Sequence, residues 1–362
     1  LQGRLDGLSP AAVPAVTDKD GNGKADVIER IETKIYGRNI NHQGRGGVDA
    51  GAGEKNEIYS SERDNSHIAI IEHEANTGTR VYAQGIGGSN LTTVLEMTES
   101  DNIVSTSESI GSMGLVGNVR PQGINTYGGD DVLIAGKDLG FSNAQYMGID
   151  TGKGDDVIIV GMGNTYHSVI SKDGILRLEA EGYVPTQGEL KVEQSSYQNN
   201  AGGRIYATTI DMSEGNDQLL VIGSTSNRYG QSIEKSQIDM GAGDDVVDVN
   251  GQILSSMVKG GDGFDMLSLH EATVGSDMFS GFEHVDLHST SHLILNSDDF
   301  KSQDIEGGIL KISGSSGASV DVQNFDWENL GSANDGNVKY LTYQSTDIPS
   351  LTLWIQEGIE VK

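Results

Sequence analysis

An all-β chain wound into a parallel β-solenoid with long rungs is the fold this sequence predicts, and three observations predict it. First, one pattern recurs: an aliphatic residue, a glycine-rich turn ending in aspartate, then a β-branched run. Residues 124–135 read INTYGGDDVLIA, 149–160 IDTGKGDDVIIV, 210–221 IDMSEGNDQLLV, 238–249 IDMGAGDDVVDV and 258–269 VKGGDGFDMLSL, with 48–59 (VDAGAGEKNEIY) as a decayed copy. Second, weaker copies at 95–104 and 71–80 and a turn near 178–182 bring successive starts to roughly 20 to 32 residues apart. That is the length of a wide coil rather than of a compact β-roll. Third, the flanks alternate as strands do, Val132 and Ile134 against Leu133, and no long run after Tyr36 carries a helical period.

The turns suggest their own chemistry. Glycine supplies the positive φ of a tight corner. The last aspartate of the turn recurs as Asp131, Asp156, Asp217, Asp245 and Asp265, and residues 260–268 fit the nonapeptide G-G-x-G-x-D-x-U-x at every fixed position. Adjacent aspartates repel at neutral pH, while glycines let carbonyls crowd around a hard cation that accepts only oxygen. Several calcium ions are therefore expected, held by these carboxylates and by the backbone at Gly243, Gly261 and Gly263.

In chain order, residues 1–40 form the first expected unit. DKDGNGKADVIE at 18–29 matches the EF-hand loop, with ligands Asp18, Asp20, Asn22, Asp26 and Glu29, the Lys24 carbonyl, and Gly23 at the sharp turn. A short helix is expected over 27–36. Pro10 and Pro14 upstream, and Ala25 where paired hands carry a larger aliphatic, indicate a solitary structural loop rather than a sensor. Residues 41–275 are the solenoid. Within it, 165–209 lacks the glycine-aspartate signal and reads either as a looped-out excursion or as a rung whose turn holds no metal. Residues 276–362 alternate as strands between polar turns and are expected to form a C-terminal β cap covering the last rung.

Composition narrows the partners. With 24 Lys and Arg against 53 Asp and Glu, the net charge is −29, which argues against nucleic acid and anionic membrane and for cations. Cysteine is absent, so neither disulfides nor thiolate sites contribute. No apolar run approaches the roughly 18 residues of a membrane span, and membrane insertion is not expected. The chain opens at Leu1 without a charged-then-apolar leader and reads as part of a longer protein.

No catalytic constellation emerges: the GxSxG, HExxH and GxxxxGK[ST] patterns are missing, and the chain is not expected to be an enzyme. His284, His288 and His292 have a spacing that would suit zinc on a helix. Strand alternation instead places His284 and His288 on one solvent-side face beside Asp286, and no zinc is expected.

Over roughly residues 120–362 the chain resembles the C-terminal region of large RTX adhesins exported by type I secretion. The likeness is carried by the GDD turns at 129–131, 154–156 and 243–245, the nonapeptide at Gly260 and the closing run of FEHVDL at 282–287, 293–300, 310–314, Trp327 and 343–361. Most turns depart from that family in lacking its first two glycines. The resemblance implies a calcium-dependent extracellular structural or adhesive module that folds on calcium after export, secreted or on the surface of a Gram-negative bacterium, in biofilm or surface attachment. Any host, surface or matrix ligand would be met through other domains, and the chain would be a monomer. An alternative is the calcium-folding tail of a secreted protease, lipase or polysaccharide-modifying enzyme whose catalytic domain lies upstream.

Overall fold

A computed structural model of the chain describes residues 39–40, 48–49, 57–59, 67–74, 78–83, 85–86, 94–97, 102–106, 109–111, 122–140, 147–161, 166–172, 175–180, 203–223, 231–288, 290–300, 305–323 and 327–362. The EF-hand-like loop, with Asp18, Asp20, Asn22, Lys24, Asp26 and Glu29, lies outside the described residues, as does the helix expected after it.

The protein is all-β, and its sheets are largely parallel. Gln237–Ala242 lies in an 8-stranded sheet, Val246–Asn250 in a 14-stranded sheet and Gln252–Leu254 in a 4-stranded one. The preceding pass lays Thr208–Asp211, Gln218–Val221 and Gln231–Glu234 on the same sheets in the same order. Equivalent positions stack in register: Ile149, Ile210, Ile238 and Val258 in one ladder, Val157, Gln218, Val246 and Met266 in another. Side chains from the facing ladders, such as Ile149, Ile210 and Ile238 with Ile158, Leu219 and Val247, share one continuous buried core.

Burial departs from simple alternation in two strands. All of Val132–Ala135 and Val157–Val160 is buried, Val132 and Ile134 as much as Leu133. A parallel strand covered on both faces reads as a continuous apolar run, which is what VLIA and VIIV are.

Between Gly161 and Gly203 the described strands do not join the parallel sheets. Tyr166–Lys172 and Ile175–Ala180 pair antiparallel with each other and join no other sheet, while Val157–Val160 pairs directly with Gln218–Val221. Exit and return are adjacent: a Cβ built on Gly203 would lie 3.0 Å from Cα of Gly161. Leu178 lies in this hairpin and not in the parallel sheets.

Two other weak copies resolve differently. The copy at 95–104 is a true member, with Val94–Glu96 and Ile103–Thr106 on the two large sheets. The one at 71–80 is a member only through its second strand: Gly78–Ala83 pairs in parallel with Ile103–Thr106, but His67–Glu74 folds back on it as an antiparallel hairpin, because their short connection cannot cross between sheets. At 48–59, Val48–Asp49 joins the 8-stranded ladder, but Glu57–Tyr59 pairs antiparallel with His67–Glu74.

The 14-stranded sheet also runs unbroken across the boundary expected at residues 275 and 276. His284–His288, Ile309–Gly314 and Thr352–Gln356 extend it in parallel, and only Val338–Ser345 and Trp327–Asp335 then turn antiparallel and end it. The last of these is mostly exposed and is interrupted by a bulge between Asn329 and Gly331, a device that discourages further strand addition.

Candidate functional site

The glycine-aspartate turns stack at the corner between the 8-stranded and 14-stranded sheets. Glycine is required there twice over. Gly154 has φ +137°, and a Cβ on it would overlap the Gly129 carbonyl oxygen; Gly243, at φ +145°, stands in the same relation to Gly215. Gly261 and Gly263 repeat the packing against the carbonyls of Gly241 and Gly243.

The two residues that close each turn point to opposite sides. The second, the recurring aspartate, is buried: Asp131, Asp156, Asp217, Asp245 and Asp265 are all within 2% of full burial. Each accepts a hydrogen bond on Oδ1 from the coil before it. Asn102 N donates to Asp131 at 2.6 Å, Asp131 N to Asp156 at 2.8 Å, Asp156 N to Asp217 at 2.7 Å, Asp217 N to Asp245 at 2.7 Å and Asp245 N to Asp265 at 2.8 Å. Among the described residues Asn102 is the first of this column, and its Nδ2 also donates to Asp131. Glu283 closes it, accepting from Asp265 N and Glu306 N, both at 2.8 Å. Successive members are 29, 25, 61, 28, 20 and 18 residues apart, the long interval being the one that contains the hairpin of Tyr166–Lys172 and Ile175–Ala180.

The first residue of each pair builds a second column of opposite sense. Asp155 N donates to Asp130 Oδ1 at 2.9 Å, Asn216 N to Asp155 Oδ1 at 2.8 Å, Asp244 N to Asn216 Oδ1 at 2.9 Å and Phe264 N to Asp244 Oδ1 at 2.9 Å. The pair of carboxylates therefore ties each coil to both neighbours. Phe264 ends the outer column because it has no acceptor to offer the next coil.

The buried column is electrostatically loaded. Burial, with the Asp156 charge second, pushes Asp131 up to about 9. Burial also raises Asp156 to about 8, and with the Asp156 charge it raises Asp217 to about 10. On all three, Oδ2 accepts no hydrogen bond. The Thr126 and Thr151 hydroxyls lie beside Asp131 and Asp156 and partly offset these rises, and each also bonds a carbonyl, Thr126 that of Thr151 at 2.8 Å and Thr151 that of Met212 at 3.4 Å.

These oxygens suit a hard cation. Such an ion prefers carboxylate and neutral oxygen donors, and at the first two turns Oδ2 and a threonine Oγ supply both. Met212 and Met240 take the threonine's place in the next two coils, where sulfur offers a hard cation nothing. Gly260 takes it in the last, and a Cβ there would lie 2.7 Å from Asp265 Oδ2. Among the described residues no three acidic or histidine side chains converge as a metal cluster, so a cation here would rest on no more than two carboxylates, with uncharged oxygens around it.

A further corner, between the 4-stranded and 8-stranded sheets, was not visible from glycine spacing. Ala207, Lys235 and Ser255 turn it with φ of 48°, 52° and 51°. Thr208, Ser236 and Ser256 follow, and the hydroxyls form a third column: Thr208 N donates to Ser236 Oγ at 3.1 Å and Ser236 N to Ser256 Oγ at 3.0 Å. A recurring Ser or Thr two residues before Ile210, Ile238 and Val258 was the available signal.

His284 and His288 do share the outer face of their strand with Asp286. His288 Nε2 lies 2.9 Å from Asp286 Oδ2, and His284 Nε2 2.8 Å from Ser313 Oγ. His292 is elsewhere, bonded through Nδ1 to Ser319. Among the described residues no helix is long and apolar enough to cross a membrane. Comparison with known proteins finds no matching family model, no matching curated protein and no matching solved structure.

Proposed function

We propose that the chain is a calcium-dependent parallel β-solenoid, serving as an extracellular structural module of the kind that ends type I-secreted RTX adhesins. The observation that carries this reading is the column of buried carboxylates Asp131, Asp156 and Asp217, with Oδ2 of Asp217 left without any hydrogen-bond donor in a protein interior. Such a carboxylate must either keep a proton or gain a cation. A net charge of −29 and an absence of cysteine fit a protein that meets millimolar calcium outside the cell. Repeats that touch only their neighbours lose cooperativity when each interface is weakened, so the metal-free chain would be largely unfolded and suited to export. The module's work is then mechanical continuity between whatever adjoins it. It is not catalysis.

Far-UV circular dichroism of the purified chain, titrated with calcium after chelation, tests this. A cooperative gain of β structure is expected with Kd on the order of 10⁻⁴ to 10⁻³ M. A β-rich, cooperatively melting spectrum in excess EGTA would overturn it.

A further inference from the structure

His270 and His288 are register partners on adjacent strands, and their rings stack face to face with centroids 4.1 Å apart and planes 2° from parallel. Each has its own carboxylate. His270 Nε2 lies 3.1 Å from Asp248 Oδ1, on the strand before, and His288 Nε2 lies 2.9 Å from Asp286 Oδ2, on its own strand. The four side chains run in the order acid, imidazole, imidazole, acid across Val246–Asn250, Met266–His270 and His284–His288.

We propose that Asp248, His270, His288 and Asp286 form a proton-operated clasp across these three strands, tightening when the stacked imidazoles gain a proton and slackening when they lose it. Two positive rings this close repel, whereas one charged ring against one neutral ring, flanked by two carboxylates, is favourable. The cluster thus takes its first proton readily and its second reluctantly. His288 is the site of the first, since the hydrogen bond its ring donates to Asp286 raises its pKa. Asp286 stays ionised throughout, held down to about 2 by its bonds with His288 and Ser313 in spite of burial.

The other polar groups facing the cluster do not duplicate this role. Ser268 Oγ lies 3.4 Å from His270 Nε2, and the Ser313 hydroxyl donates to Asp286 Oδ1 at 2.5 Å while meeting His284. Lys311, next along the sheet, is paired with Asp335, and Tyr340 packs near that pair. Because the folded pKa of His288 is raised above its unfolded value, the stabilisation is fully present below about pH 6.5 and is lost as pH rises through the raised value. The clasp involves none of the turn aspartates, and its test is made on the folded chain.

The test is the full chain in saturating calcium, followed by proton NMR of the histidine rings and by denaturant unfolding from pH 5 to 9. His288 is expected to titrate above about 6.5, with the folding constant relative to His288→Gln rising about tenfold towards acid for each unit of that excess. Asp286→Asn should return the midpoint to 6.5 or below. A native midpoint at or below 6.5 overturns the proposal. So does a stability difference between wild type and His288→Gln that stays constant with pH.

Discussion

The backbone N–H of Asp156 lies 2.7 Å from Oδ1 of Asp217, so a carboxylate 61 residues further along the chain completes the turn before it. Asp217→Asn keeps that acceptor and removes the charge; Asp217→Ala removes both. The alanine variant is expected to lose about 1–3 kcal/mol, because the Asp156 N–H is left buried and unpaired. The asparagine variant should fold at least as well as the wild type without calcium, yet bind one ion fewer. Denaturant unfolding and calcium counting by native mass spectrometry separate the two effects.

Outer-column substitutions should be milder. Asp155→Ala strips an acceptor from Asn216 N at a corner open to water, which can replace it. A loss below about 1 kcal/mol is expected, within the usual range for exposed sites. A larger loss in thermal melting would mean that the outer column bears as much of the stacking as the inner one.

Calcium and protons should compete. An unfolded aspartate titrates near 3.8, whereas Asp131, Asp156 and Asp217 are raised to about 9, 8 and 10 in the fold. Between those values the metal-free fold binds more protons than the unfolded chain. Its stability from this source is present below 3.8 and drains away as pH climbs through 8 to 10. Calcium binding at pH 7 is then expected to release protons, which calorimetry in buffers of different ionisation enthalpy detects, and calcium should stabilise more at pH 8 than at pH 5.

Glycines in the stack should divide sharply. Gly154→Ala places a methyl on the Gly129 carbonyl at a φ that L residues avoid, and a cost above about 2 kcal/mol is expected from the conformation and the overlap together. Gly148→Ala, on an exposed strand position with nothing within 4 Å, should be neutral or slightly stabilising. Melting temperatures of the two variants make the comparison.

The recurrence of Asp131, Asp156, Asp217, Asp245 and Asp265 was legible because stacked coils repeat their corner chemistry, and so was the coil at 95–104, where Asn102 holds the aspartate's place. Which aspartate of each pair faces inward was not legible. Strand alternation is a two-residue rule, and a glycine at φ near +140° breaks it just before the pair. The hydroxyl corner was hidden for a related reason: Lys235 and Ser255 adopt a backbone that sequence reading assigns to glycine. The hairpin at 67–83 was mistaken for a rung because its apolar run matches either pairing, and only the shortness of its connection distinguishes them.

The side-by-side placement of Gly161 and Gly203 makes this corner a natural port for grafting. The stack itself holds the two ends together, so the entropy of closing whatever lies between them grows only slowly with its length, by about 0.6 kcal/mol per doubling. A foreign domain whose own termini lie close could replace residues 162–202 and be carried at a fixed height along the stack, with the register of the coils on either side left as it is.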